Sequence, residues 1–209
     1  MMHQFRKTIS ALSIIFSVTL MGEYKISIIY ESGFEFKSQH LLINDLKECS
    51  SKKEIENLVS DQDWIKDYYL AYKPFKKEIY LNIKNREPIF ILNNKFFYDR
   101  KLSKFEYDNS KRNLILVEGP VDNPEDILKL IREIESIPNI QFKIQTINYS
   151  YVNGWDVNSD KTLIRFGNTL TEKRFKNFRD TSKYLLDIGK IPSIIDMRYK
   201  DGVALNYGK

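Results

Sequence analysis

The chain has 209 residues with 33 Lys+Arg against 28 Asp+Glu, a formal net charge of +5, and a length that allows one or two domains. Hydrophobic residues make up 42% and charged residues 29%, near average globular usage, which excludes a disordered chain and a polytopic membrane protein. One cysteine, Cys49, excludes an intrachain disulfide framework and a multi-cysteine zinc site, and two histidines, His3 and His40, nearly exclude His-based catalysis and multi-His metal binding. Aromatics at 13%, with 13 Tyr and 13 Phe, suit β-structure. Basic residues alternate with acids, as in Lys52-Lys53-Glu54 and Lys76-Lys77-Glu78. That pattern describes a solvated surface rather than the one-sided basic face of a nucleic-acid binder.

The N-terminus reads as a basic tail, Arg6-Lys7, followed by an uncharged apolar run from Thr8 to Gly22 that Glu23 and Lys25 close. As a helix the run reaches about 22 Å, short of the roughly 30 Å hydrocarbon core, and Phe5 and Tyr24 extend it as interfacial aromatics. Three readings compete: an uncleaved anchor, a cleaved signal peptide, and a buried helix. A signal peptide would end in a small-residue cleavage site, which Gly22-Glu23-Tyr24 does not resemble, so the anchor is favoured. Arg6 and Lys7 then hold the tail in the cytoplasm, and all that follows Tyr24 lies outside it.

From Lys25 the chain alternates short strands and helices. Ile26, Ile28 and Tyr30 share one strand face, ended by Ser32-Gly33. A helix after Ser38 carries Leu41, Leu42 and Leu46 inward. Ser51-Lys52-Lys53-Glu54 is a capping box that opens a second helix with Ile55, Leu58 and Val59 on one face. Strands follow at Tyr68 to Tyr72 and Glu78 to Lys84, which completes a strand–helix–helix–strand–strand α+β unit.

Pro88 starts a second region. Ile89 to Leu92 and Phe96 to Tyr98 flank Asn93-Asn94 as a hairpin, because Asn tolerates the positive φ of a tight turn. Short strands lie at Phe105 and at Leu114 to Val117, punctuated by Gly119-Pro120. Asn123 caps a helix with Pro124 in its first turn; Ile127, Leu130, Ile131 and Ile134 form its apolar face, and it stops before Pro138. Strands follow at Phe142 to Tyr149 and Lys161 to Phe166, then a long amphipathic helix from about Thr171 to Asp187 that ends near Gly189. Two final strands, Ser193 to Tyr199 and Val203 to Tyr207, are joined by Lys200-Asp201-Gly202, with Gly202 as a turn glycine.

Reactive chemistry is hard to assemble from these residues. The chain has none of the phosphate-loop, dinucleotide-loop or nucleophile-elbow glycine patterns. Cys49 with His40 would need spatial contact to form a dyad, and an incidental thiol is the simpler reading. Asp61 and Asp63 beside Trp64 read as helix-end or solvated acids. Arg165, Arg174 and Arg179 lack the base-stacking aromatics of an RNA-binding sheet face. The composition and motifs point to neither an enzyme nor a cofactor.

The run Ile195-Asp196-Met197-Arg198-Tyr199-Lys200-Asp201-Gly202-Val203-Ala204 resembles the C-terminal signature of the FtsQ/DivIB cell-division family, an Asp-Leu-Arg-Tyr run followed by Gly-x-Ala, with Met197 in place of the leucine. Asn85-Arg86-Glu87-Pro88 resembles the family's junction between two units, Trp64-Ile65 its Trp-Val, Gly119-Pro120 its Gly-Pro after a strand, and Leu163 to Gly167 its strand before the long helix. The resemblance implies a cytoplasmic tail at residues 1–7, a transmembrane helix at 8–23, a POTRA domain at 24–88, and a mainly antiparallel FtsQ-type β-domain with flanking helices at 89–209. It further implies a non-enzymatic divisome scaffold at the inner membrane and division septum, its bulk periplasmic. Such a scaffold recruits FtsB-like and FtsL-like proteins for septal peptidoglycan synthesis, and binds neither nucleic acid, small-molecule substrate nor cofactor.

A final strand is often an edge to which a partner strand adds, so Arg198, Tyr199, Lys200, Gly202, Val203 and Ala204 are the expected contacts. For Asp196 a purely structural role is favoured. An envelope-assembly or secretion accessory carrying a POTRA domain is the alternative, and it would ordinarily bring repeated POTRA units or a membrane barrel.

Overall fold

A computed structural model describes residues 14–19, 24–31, 34–110, 113–137, 142–200 and 202–208. Ser32-Gly33, Pro138, Asp201 and the ends of the N-terminal apolar run fall outside them. The fold is mixed α+β, with four α-helices among the described residues, and the chain divides into two compact units, 1–87 with 108–110, and 88–107 with 111–209.

The first unit holds β1 (Ile14–Thr19), β2 (Lys25–Tyr30), α1 (Ser38–Glu48), α2 (Lys52–Ser60), β3 (Ile65–Lys73) and β4 (Glu78–Asn85), with sheet order β1-β2-β4-β3. β2 and β4 are parallel, and β3 returns antiparallel to β4. Ile26 and Ile28 on β2 alternate with partly exposed residues, as do Ile79, Leu81 and Ile83 on β4, so one sheet face is buried. Leu42, Leu46, Ile55 and Val59 from the helices are as deeply buried and complete the core. Leu41, expected inward, is 65% exposed, and Gln39 takes a buried place on α1 instead.

Residues 8–23 were the expected membrane-spanning helix. Ile14–Thr19 form strand β1 instead, antiparallel to β2, while 8–13 and 20–23 lie outside the described residues. Ile14, Ile15, Val18 and Thr19 are all β-branched, and such side chains favour a strand over a helix. Among the described residues no helix is long and apolar enough to cross a membrane.

Helix caps account for much of the local structure. Ser51 Oγ accepts from Glu54 N at 3.3 Å, as a capping box requires. The reciprocal arm differs, because the Glu54 carboxylate bonds the amide of Ser50 at 2.7 Å and its hydroxyl as well. Helix α1 has no local side-chain cap. Its amides are met from 70 residues downstream, where Asp108 Oδ2 accepts from Ser38 N at 2.8 Å and from Ser38 Oγ at 2.9 Å. Ser110 Oγ accepts from Lys37 N at 2.7 Å. A carboxylate at a helix N-terminus also answers the helix dipole.

Among its described residues the second unit is one nine-stranded sheet with two α-helices. Its elements are β5 (Pro88–Leu92), β6 (Phe96–Asp99), β7 (Lys104–Glu106), β8 (Ile115–Glu118), α3 (Pro124–Glu135), β9 (Ile144–Ser150), β10 (Gly154–Ser159), β11 (Leu163–Gly167), α4 (Glu172–Ile188), β12 (Ile194–Asp196) and β13 (Ala204–Asn206). The sheet order is β13-β12-β11-β10-β9-β8-β5-β6-β7. Parallel neighbours β8 and β9 are joined through α3, and β11 and β12 through α4, because a parallel pair needs a crossover long enough to hold a helix. Both helices lay their apolar stripes into one core with Ile127, Ile131, Phe175, Phe178, Ile147 and Phe166. Asn123 Oδ1 caps α3, Thr171 caps α4, and Gly189 ends α4 at φ 63°. Asn93 and Asn94, at φ 53° and 52°, turn the β5–β6 hairpin.

Strand β10 is absent from the expected strands. It returns through the Asn153-Gly154 turn, and β11 bulges opposite it at Phe166, between Gly167 facing Trp155 and Arg165 facing Asp156. A Cβ on Gly154 would stand 2.0 Å from the Gly167 carbonyl carbon, at φ +73°, so only glycine fits this backbone crossing.

The cap from Asp108 gives a measurable consequence. Asp108→Ala is expected to cost about 1 kcal/mol and to speed amide exchange at the start of α1. Burial pushes the Asp108 carboxyl up, but hydrogen bonds from Ser110 and Ser38 outweigh it and hold the group below the usual carboxylate range. A lowered pKa stabilises the fold above the unfolded carboxylate pKa of about 4 and loses that stabilisation as pH falls through the native value. The gap between wild type and variant, read by urea unfolding, should therefore close in acid.

Candidate functional site

The last strands place four charged residues in a row. Asp156 on β10 pairs in register with Arg165 on β11, Arg165 with Asp196 on β12, and Asp196 with Ala204 on β13. Arg198 closes the set on Asp196: its Nε reaches Oδ1 at 2.9 Å, its Nη2 reaches Oδ2 at 2.6 Å, and its own backbone amide donates to Oδ1 at 3.0 Å. The bidentate pairing is the strong form of an arginine–carboxylate contact. The stem of Arg198 lies over Gly167, where an added Cβ would meet Arg198 Cγ at 3.1 Å.

The same row sets the acidities. Asp196 is 7% exposed, and burial pushes its carboxyl up, yet the bonds from Arg198 prevail and hold it below the ordinary range. In return Asp196 raises the pKa of the Arg198 guanidinium. Asp156 goes the other way. Burial raises it, Arg165 and Arg198 pull it down, and the neighbouring charge of Asp196 adds to the rise. Its Oδ1 stands 3.9 Å from Arg165 Nε, too far for a hydrogen bond.

This carboxylate also shortens the strand. Residues 193–199 were expected as one strand, but β12 ends at Asp196 because the side chain bonds the amide two residues on, the geometry of an Asx turn. Met197 is buried and its amide donates to Arg165 O at 2.9 Å. The chain then leaves the sheet, held by Lys173 Nζ on Lys200 O at 2.8 Å, and returns as β13. The connection is a loop over 197–203 rather than a tight turn. Asp201 lies outside the described residues. Gly202 has no left-handed φ and open space where a Cβ would stand, so its turn role is not a steric requirement.

Strand β13 is the last strand of the sheet and, among the described residues, pairs with β12 alone. Tyr199 is 60% exposed and Arg198, Lys200, Gly202 and Ala204 are exposed, with Val203 and Leu205 half-buried against the core. A groove of about 470 Å³ runs beside the strand, where Asn177, Thr181 and Tyr184 of α4 face Gly202, Val203 and Leu205. The helix wall of this groove was missed from sequence. Its one visible signal is an aromatic, Tyr184, at a 55% exposed position of an amphipathic helix.

The other singled-out residues are spent structurally. Cys49 is buried at the end of α1, its thiol pushed up by burial and by Glu54 and Asp45, and His40 lies nine residues back on the same helix, about 13 Å along its axis. Asp61 caps α2 at its C-terminus, and Trp64 is buried with its indole donating to Gln62. Arg174 bonds Thr169, and Arg179 bridges Glu133 and Glu172.

Removing the Asp196 carboxylate should loosen the end of the sheet. Asp196→Ala is expected to destabilise the second unit by about 1–2 kcal/mol at neutral pH, since it strips the acceptor that holds the Arg198 guanidinium and backbone amide. Because the native pKa is lowered, the loss is present above about pH 4 and fades as pH falls through the native value, a contrast that thermal unfolding at pH 7 and pH 3 would read.

A comparison with curated proteins finds no match. The family model described as "Cell division protein FtsQ/DivIB, C-terminal" matches residues 93–198, from the turn after β5 to the arginine that clasps Asp196. The match takes in just over half of the chain, and β13 lies beyond it. The chain belongs to the FtsQ/DivIB family of cell-division proteins.

Proposed function

We propose that the protein is a non-enzymatic divisome scaffold, anchored in the inner membrane with its bulk in the periplasm, that links early and late division proteins at the septum. It recruits FtsB-like and FtsL-like partners and through them regulates septal peptidoglycan synthesis. The observation that carries this reading, given the family, is the position of β13. It is a three-residue strand at the end of a nine-stranded sheet, its outer side unpaired by any strand among the described residues. A partner segment adds there as a further strand, with main-chain bonds for affinity. Tyr199 and the groove along α4 supply side-chain selectivity. Arg198, Lys200, Gly202, Val203 and Ala204 complete the contact, Arg198 mostly by keeping the loop in place through Asp196.

Residues 24–88 act as the POTRA domain, a reading supported by the order β2-α1-α2-β3-β4 with β2 and β4 parallel. Residues 89–209 form the partner-binding β-domain, residues 1–7 the cytoplasmic tail and 8–23 the anchor. An anchored chain cannot also keep Ile14–Thr19 paired with β2. In the membrane-bound protein β1 therefore leaves that edge.

Two experiments test this. Full-length protein in detergent should bind the organism's FtsB-like periplasmic segment, and Tyr199→Ala should weaken binding by more than about 1 kcal/mol, on the scale of interface hot spots. Unchanged affinity in a folded variant would remove Tyr199 from the interface. Carbonate extraction of membranes should leave the full-length chain in the pellet; a shortened product in the supernatant would point to cleavage instead.

A further inference from the structure

The β3–β4 hairpin ends in a single 3-10 turn, Pro74–Lys76, that holds Phe75 wholly in solvent at 102% exposure. An aromatic of this size is costly to leave in water when nothing covers it. Three lysines surround it in sequence, Lys73, Lys76 and Lys77, all exposed. Tyr72, on the strand just below, is 39% exposed. The hairpin tip thus combines an apolar point, a tyrosine and a positive collar.

The tip also has a fixed neighbour. Lys25 pairs with Glu78 across β2 and β4, Glu78 pairs with Lys73 across β4 and β3, and Lys25 N donates to Lys77 O at 2.9 Å. The Tyr24 ring lies 5.2 Å from that of Tyr72, and their hydroxyls are hydrogen-bonded. Tyr24 stands two residues past Gly22, where the N-terminal apolar run ends. Register therefore puts Phe75 and its lysines at the end of the sheet where the chain arrives from that run.

We infer that the β3–β4 hairpin tip is a second membrane contact. Phe75 enters the boundary between headgroups and acyl chains, Lys73, Lys76 and Lys77 meet anionic headgroups, and the Tyr24–Tyr72 pair sits at the interface. The occupant is a lipid surface because the charge is complementary to it and the chain is continuous with the segment read as an anchor. One aromatic and three lysines bind a vesicle weakly alone, but tethered beside an anchor they act at high effective concentration. The inference rests on that anchor reading, and the test separates the two.

Full-length Phe75→Trp protein is reconstituted in phosphatidylcholine vesicles with and without phosphatidylglycerol, and its fluorescence is compared with that of the parent chain. Trp64 and Trp155 are 3% and 4% exposed, so they give a constant background. The expected result is a blue shift on vesicle binding and quenching of the added tryptophan by brominated lipid. Reversing Lys73, Lys76 and Lys77 to Glu should cut that quenching at least about twofold in anionic vesicles. A chain that floats with vesicles while the added tryptophan stays unquenched overturns the hairpin contact and leaves the anchor. A chain that does not float overturns both. A blue shift that grows with protein concentration in lipid-free detergent assigns the tip to a second copy and overturns the lipid contact.

Discussion

A buried carboxylate governs the end of this molecule. Left alone in the low dielectric between strands, the Asp196 side chain would be costly enough to disrupt the sheet or take up a proton. It stays ionised because Arg198, two residues on, folds back and supplies both guanidinium and backbone donors. The same act ends β12, sends the chain out over α4, and brings it back as β13, whose outer side no strand among the described residues pairs. Electrostatics, strand length and the exposed edge are thus one arrangement. Losing the arginine would leave an unpaired charge at the foundation of the last strand, which generally costs more than the pair itself is worth.

Both rims of the large sheet, β13 and β7, are three residues long. Short edge strands guard against indiscriminate pairing, since few main-chain bonds are offered. In the proposed strand addition a three-residue edge contributes only a few main-chain bonds. Side chains beside it, such as Tyr199 and Tyr184, must do the selecting, as happens at interfaces whose energy is concentrated in a few aromatics.

What the sequence made legible follows the range of each interaction. Caps and turns act over two to four residues, so Asn123, Ser51, Gly189 and the Asn93-Asn94 hairpin could be read directly, as could the inward faces of α3 and β4. The Asp108 cap on α1 could not, because it is supplied across 70 residues. Strand β10 escaped notice because its identity depends on a glycine against the backbone of Gly167, a contact no local pattern encodes. At the candidate site the key residue types were visible as a motif, but the α4 wall of the groove and the strand-ending turn required three strands and a helix in register. The N-terminal run shows the limit of composition: its hydrophobicity argues for a bilayer, and its β-branched residues for a strand.

The reach of Asp108 and Ser110 back to α1 carries a cost in time. Residue 110 leaves the ribosome after residue 87, and at about 5–20 residues per second the gap is roughly 1–5 s. During it the first helix has its sequence and its inward residues Leu42 and Leu46, but not the Asp108 and Ser110 acceptors for its leading amides. The nascent first unit therefore waits, incompletely closed, for a short stretch of chain synthesised after the second unit has begun. A chaperone or membrane factor acting in that interval would meet a helix end that the finished protein no longer displays.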